Sequence, residues 1–133
     1  KNIICRLRPS ATDCISDWRH RLHFNLKTTK AMIVFNTTFH THTACEQLFL
    51  DWLRVIYIPQ ALADGRLSEA RLTRVLNAEE SDGVNYSLQF RAENLDKLHS
   101  WYEEVGDELA GMLAHKFGQQ VAGFSTLLEE VEL

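Results

Sequence analysis

Paired metal-binding cysteines, a secretory leader and a membrane-length apolar run are all missing from this sequence. Cys5, Cys14 and Cys45 are odd in number and scattered, with no C-x-x-C pair, so neither a disulfide framework nor a zinc knuckle is written into the chain. A reducing compartment matches that usage. At the front, Arg6, Arg8, Asp13, Asp17, Arg19 and Arg21 interrupt every apolar stretch, leaving no h-region, and nothing approaches the roughly 18 apolar residues of a spanning helix. The chain is therefore expected in the cytoplasm and away from membranes. Nor is there a G-x-x-x-x-G-K, G-x-G-x-x-G, H-E-x-x-H or G-x-S-x-G motif, so nucleotide hydrolysis and standard hydrolase chemistry have no support.

Positive charge is scarce where a nucleic-acid partner would need it. Residues 1–31 hold seven Lys or Arg against Asp13 and Asp17, whereas residues 32–133 hold seven against sixteen Asp or Glu. An acidic body cannot replace the counterions condensed on a phosphate backbone, nor is it drawn to an anionic bilayer. The 133 residues, 45% of them hydrophobic, suffice for one domain with a real core. The charge division suggests two parts: a basic extension over 1–31, non-native or weakly ordered, and a domain over 32–133. Within the extension, Ile15, Trp18 and Leu22 make only a narrow helical stripe.

From Met32 the patterning is regular. Ile33, Phe35, Thr37 and Phe39 alternate with Val34, Asn36, Thr38 and His40, the period of a strand. Thr43 and Glu46 form a T-x-x-E capping box for a helix whose apolar face is Leu48, Trp52, Val55 and Ile56. Pro59 and Asp64-Gly65 predict its end or kink near Tyr57, with a short helical turn beyond. Residues 67–77 suit a second strand with Ala70, Leu72 and Leu76 on one side and Arg71, Thr73 and Val75 on the other. A polar turn from Glu79 to Gly83 leads into the alternation Val84, Tyr86, Leu88, Phe90 of a third strand. A second helix spans about 94–116, capped by Asn94, with Leu95, Leu98, Tyr102, Val105, Leu109, Met112 and Leu113 as its stripe and Gly118 behind it. Residues 121–131 close the set as a fourth strand. The order βαββαβ is ferredoxin-like and α+β: a four-stranded antiparallel sheet with two helices on one face.

Two helices bury one sheet face only. Asn36, Thr38, His40, Arg71, Thr73 and Gln89 fall on the other, with Phe124 or Ser125 joining according to register. That mixed face suits a homodimer in which two sheets stack around a partly wet space. Asn36, Thr38, His40, Arg71, Thr73, Tyr86 and Gln89 are the candidate ligand-binding residues, with Arg71 as a fixed cation for a small polar or anionic ligand and Asn36 or Gln89 as orienting groups. Tyr86 has inward parity and reaches such a pocket only from a lip between helix and sheet.

Further along the same line, MIVFNTTFH, DWLRVIYIPQALADGRLSEARLTRVL, GVNYSLQF and HKFGQQVAGFSTLLE resemble the small bacterial family known as domain of unknown function 4286. The resemblance covers 32–133 through Asn36, Phe39, His40, Trp52, Ile58-Pro59, Arg71, Tyr86 and Phe117-Gly118. It implies a ferredoxin-like domain of the dimeric α/β-barrel type and transfers no activity.

Other features carry less. His40 and His42 share a strand face at a spacing some metal sites use, but no carboxylate or thiolate accompanies them, so they read as strand-end histidines. His99 and His115 are weak haem-ligand candidates and read as solvated helix histidines. Trp52 reads as core and Trp101 as the edge of the core. Residues 79–82 lack the alternating oxygen ligands of a calcium loop, and Glu103, Glu104, Asp107 and Glu108 read as the wet side of a helix. No catalytic residue, metal or cofactor is assigned. The functional expectation is a non-catalytic homodimeric domain binding a small molecule or protein; the alternative is a cofactor-independent monooxygenase or isomerase with a pocket on the outer sheet face.

Overall fold

The computed structural model describes residues 4–6, 32–76 and 83–133. The expected turn from Glu79 and the stripe of Ile15, Trp18 and Leu22 lie outside the described residues. The elements are strands β1 (Ile4–Arg6), β2 (Ile33–His42), β3 (Leu67–Arg74), β4 (Gly83–Ala92) and β5 (Val121–Glu129), with helix α1 between β2 and β3 and helix α2 between β4 and β5. They form one antiparallel sheet ordered β1-β5-β2-β4-β3. The βαββαβ expectation holds for β2 to β5. The sheet gains a fifth strand, because Ile4–Arg6 pairs along the free edge of β5.

Strict alternation does what period two requires in the central strands. Phe35, Phe39, Tyr86, Leu88 and Phe90 are buried toward the helices, and the intervening residues are half-buried on the opposite face. Thr37 and Ser125 have inward parity too, and their hydroxyls meet at 3.2 Å, so neither polar group is stranded in the core.

Both helices have the same interior irregularity. Helix α1 runs as Glu46–Trp52, a π-helical turn Leu53–Tyr57 and Ile58–Leu62; α2 runs as Leu95–Trp101, a π-helical turn Tyr102–Gly106 and Asp107–Phe117. A π turn bonds i to i+5 and takes more residues per turn than 3.6. The buried set of α1 is accordingly spaced by four, as Phe49, Leu53, Tyr57 and Ala61, with Leu50 and Trp52 beside it. The expected stripe through Leu48 and Val55 is corrected: these are 56% and 68% exposed. Pro59 does not stop the helix: the π turn Leu53–Tyr57 comes just before it, and the chain continues helical through Leu62.

Trp101 is fully buried instead of marginal, its edge against Phe35 at 5.6 Å and its indole N–H donating to the Ala61 carbonyl at 3.0 Å. That carbonyl lies in the last turn of α1, where intrahelical donors run out, so the bond ties one helix to the other. The Thr43/Glu46 capping box does not form: Thr43–Cys45 is a 3₁₀ turn, and the His42 Nδ1 accepts the Ala44 N–H at 3.1 Å. Asn94 caps α2 as expected, accepting from the Lys97 N–H at 2.8 Å, and Gly118 follows it at φ 57°.

Strand β3 differs in parity. A register shift between Ser68 and Arg71 inserts a bulge, with Glu69 at φ 54°. Leu67 before the bulge and Leu72 after it point inward, whereas Ala70 is exposed and Leu76 is 85% exposed. An extra residue on one strand flips every side chain beyond it, which sequence alternation alone does not reveal. The last strand ends at Glu129, two residues earlier than expected.

Candidate functional site

The face away from the helices is built in cross-strand rows. Thr38 pairs Phe124 on one side and Ser87 on the other, and Ser87 pairs Thr73; Asn36 pairs Thr126 and Gln89, and Gln89 pairs Arg71; His40 pairs Ala122 and Asn85. The register therefore brings Asn36, Thr38, His40, Arg71, Thr73 and Gln89 onto one surface. It selects Phe124 over Ser125, which is buried on the helix side.

At the centre the polar groups satisfy one another. Ser87 Oγ donates to Asn36 Oδ1 at 2.5 Å, and Asn36 Nδ2 donates to Thr38 Oγ1 at 3.3 Å. Thr73 Oγ1 donates to the Ser87 carbonyl at 3.4 Å. Asn36 is thereby held in one orientation by its neighbours.

His40 lies at one end. Its Nδ1 is 2.7 Å from Asn85 Oδ1, so the imidazole donates there. Gly83 shapes this corner: a Cβ at position 83 would come within 2.6 Å of His40 Cε1, of Nε2 and of the Thr41 carbonyl. The ring occupies the space where another residue's side chain would begin. Sequence reasoning assigned Gly83 to a turn and missed this role; a glycine at the start of an alternating strand was the available signal. Thr38, His40, Asn85, Ala122, Gly123 and Phe124 line an open groove of ≈ 420 Å³.

At the other end, Arg91 lies between two carboxylates. It donates to Glu130 from Nε at 2.8 Å and Nη2 at 2.7 Å, and to Glu69 from Nη1 at 2.6 Å. Those bonds, Glu130's foremost, hold its guanidinium more firmly protonated than usual. A second groove, ≈ 260 Å³, lies beside it and includes Arg71 and Gln89.

Tyr86 does not join this face. It is buried on the helix side, its hydroxyl donating to Glu46 and accepting from Arg74 at 3.2 Å. Burial first, then the bond to Glu46, raises its pKa. Glu46, expected in the capping box, instead ties the start of α1 to the sheet through Tyr86 and Arg74.

The other histidines among the described residues are placed apart from one another. His42 caps the turn after β2, His99 Nδ1 is 3.1 Å from Glu103 on α2, and His115 is exposed. Among the described residues no cluster of three or more His, Cys, Asp or Glu is positioned to hold a metal. Asp107 departs from the expected wet helix side: its Oδ1 and the Tyr102 hydroxyl are buried without a hydrogen-bond partner among the described residues.

Four antiparallel strands in the order β5-β2-β4-β3, with both crossover helices on one face and a polar opposite face, define a ferredoxin-like α+β domain. Among the solved structures that share it are two of low sequence identity. One is a protein of the ethyl tert-butyl ether D (EthD) family from Bacillus halodurans C-125, 16% identical, TM-score 0.53, aligned over 76% of this chain and 99% of that one. The other is a dimeric ferredoxin-like protein from an uncultured marine organism, 13% identical, TM-score 0.52, over 77% and 98%. No curated protein matches the chain. The family model described as domain of unknown function (DUF4286) matches residues 32–131, and the chain belongs to that family. No described helix is long and apolar enough to cross a membrane.

Proposed function

We propose that this domain is a non-catalytic homodimer whose two open sheet faces stack into a dimeric α/β barrel, and that the His40 groove between them binds a small polar molecule. The observation that carries this reading is the groove itself, on the face the helices leave uncovered. Its volume falls within the roughly 300–1,000 Å³ of small-molecule sites, yet its solvent side is open. A second sheet about 10 Å away would close it and cover Phe124, which is 38% exposed. One of the solved neighbours is described as dimeric, which fits. Binding is favoured over turnover because the lining offers hydroxyl, imidazole and amide groups without a carboxylate or thiol to act with His40. An oxygenase or isomerase needs a deep, enclosed apolar cavity beside Asn36 or His40; the groove beside His40, apolar along Ala122 and Phe124, is open to solvent.

The family match beginning at residue 32 supports a domain over 32–133 with 1–31 as an extension. The scattered cysteines fit a reducing compartment such as the cytoplasm.

Native mass spectrometry of the wild-type chain and of Phe124→Asp tests the proposal. The expected result is a wild-type dimer, with or without retained added mass, and a folded monomer for Phe124→Asp by far-ultraviolet circular dichroism. A wild-type monomer at micromolar concentration, or a Phe124→Asp dimer of undiminished stability, overturns the stacked arrangement.

A further inference from the structure

The second groove on the open face has separated charges. It is lined by Val34, Gln89, two arginines (Arg71 and Arg91) and two carboxylates (Glu69 and Glu130). Arg91 bonds both carboxylates, so this triad of one cation and two anions retains one negative charge. Arg71 is exposed and has no ion pair among the described residues. That sets it apart, because Arg54 pairs with Asp51, Arg66 with Asp64 and Glu104, Arg74 with Glu46, and Arg91 as above.

A bulge in β3 lies at this point of the groove, between Ser68 and Arg71. In a regular strand, residues 69 and 71 share a face and a Glu–Arg pair there would neutralise itself. Here Glu69 takes φ 54°, a region few residues other than glycine occupy, and its carboxylate bonds Arg91 on the neighbouring strand. Arg71 is left directly opposite Gln89, whose amide supplies a second donor.

A lone carboxylate entering this groove gains Arg71 but meets the surplus negative charge of the triad; a lone ammonium has the converse difficulty. A molecule carrying both charges satisfies both ends. We propose that the groove binds a small zwitterion of the α-amino acid class, its carboxylate on Arg71 and Gln89, its ammonium toward Glu69 and Glu130, and an aliphatic side chain along Val34. At ≈ 260 Å³ the groove lies below the roughly 300–1,000 Å³ range of drug-sized ligands, in keeping with a smaller one. This site rests on the reading of the open face as a ligand-binding surface, and depends neither on the His40 groove nor on dimerisation.

The test is a low-salt NMR titration with three probes matched in carbon skeleton: L-leucine, 4-methylpentanoate, which lacks the amine, and 3-methylbutylamine, which lacks the carboxylate. Leucine is expected to shift the Gln89 side-chain amide and Arg71 Nε signals saturably, and to bind at least about tenfold more tightly than either other probe. Arg71→Gln should abolish the shifts in a protein with an otherwise unchanged spectrum. Glu69→Gln, which leaves the triad neutral, should let 4-methylpentanoate bind as well as leucine. Absence of saturable leucine binding, equal wild-type affinity for 4-methylpentanoate, or leucine binding that survives Arg71→Gln each overturns the proposal. Subunit count is read separately by native mass spectrometry, so a monomer that binds leucine refutes the stacked dimer and leaves this site standing.

Discussion

Replacing Gly106 by alanine should destabilise the protein, against the usual sign for a helical glycine. In a helix interior the exchange ordinarily gains about 0.5–1 kcal/mol from reduced backbone freedom in the unfolded chain. At this position a Cβ would lie 2.6 Å from Trp101 Cζ3, 3.0 Å from Tyr102 Cδ2 and 3.1 Å from Trp101 Cη2. The indole cannot swing away easily, because it is fully buried, held by the Ala61 carbonyl and flanked by Phe35. Overpacking of this kind costs about 1–3 kcal/mol, so the net loss should be about 1–2 kcal/mol. Trp101→Phe removes the outer ring atoms that the new methyl would strike. In that background Gly106→Ala should be neutral or stabilising by up to about 1 kcal/mol, giving a coupling of about 1–3 kcal/mol in a double-mutant cycle. Equilibrium urea unfolding of the four proteins, followed by far-ultraviolet circular dichroism, measures it. If Gly106→Ala costs the same with tryptophan or phenylalanine at position 101, the close packing inferred for the second π turn is wrong.

Gly83→Ala should displace the His40 ring and weaken its bond to Asn85, costing about 1–3 kcal/mol and shifting the imidazole NMR signals; an unchanged His40 spectrum would contradict the close approach at that corner. Stability should also fall in alkali. Burial first, then Asp107, pushes the Tyr102 pKa up to about 12, and burial followed by Tyr102 drives Tyr57 higher still. The folded protein therefore keeps phenol protons that the unfolded chain loses above about pH 10. Stability is retained below that pH and declines as pH rises through the folded-state values, at up to about 1.4 kcal/mol per pH unit for each tyrosine. Urea midpoints recorded from about pH 8 to pH 11 check this, and Tyr57→Phe and Tyr102→Phe should each flatten the decline; a wild-type profile without any decline would refute it.

The open face was legible from the chain because strand parity survives folding wherever register is regular. Asn36, Thr38, His40 and Gln89 lie on β2 and β4, whose pairing runs unbroken, and the structure brings all four to one surface. Arg71 and Thr73 joined them even though β3 carries a bulge, because only residues before the bulge change parity relative to those after it. Tyr86 was a candidate whose parity already argued against the outer face, and its hydroxyl meets Glu46 and Arg74 instead. Gly83 was not legible as a packing residue, since the contact it permits is with a ring 43 positions earlier in the chain.

The sequence by itself determined the order of elements from β2 to β5, the buried parity of the central strands, the Asn94 cap and the glycine behind α2. Each depends on residues close in the chain and on the fixed periods of strand and helix. Tertiary structure decided what those periods cannot encode. The π turn Leu53–Tyr57 puts both Leu53 and Tyr57 in the core and leaves Val55 outward, and packing against Phe35 and the Ala61 carbonyl buries Trp101. The bulge directs Glu69 to Arg91 and leaves Arg71 beside Gln89. Such departures arise where packing between distant segments outweighs local regularity, and their energetic cost and compensation appear only when those segments meet.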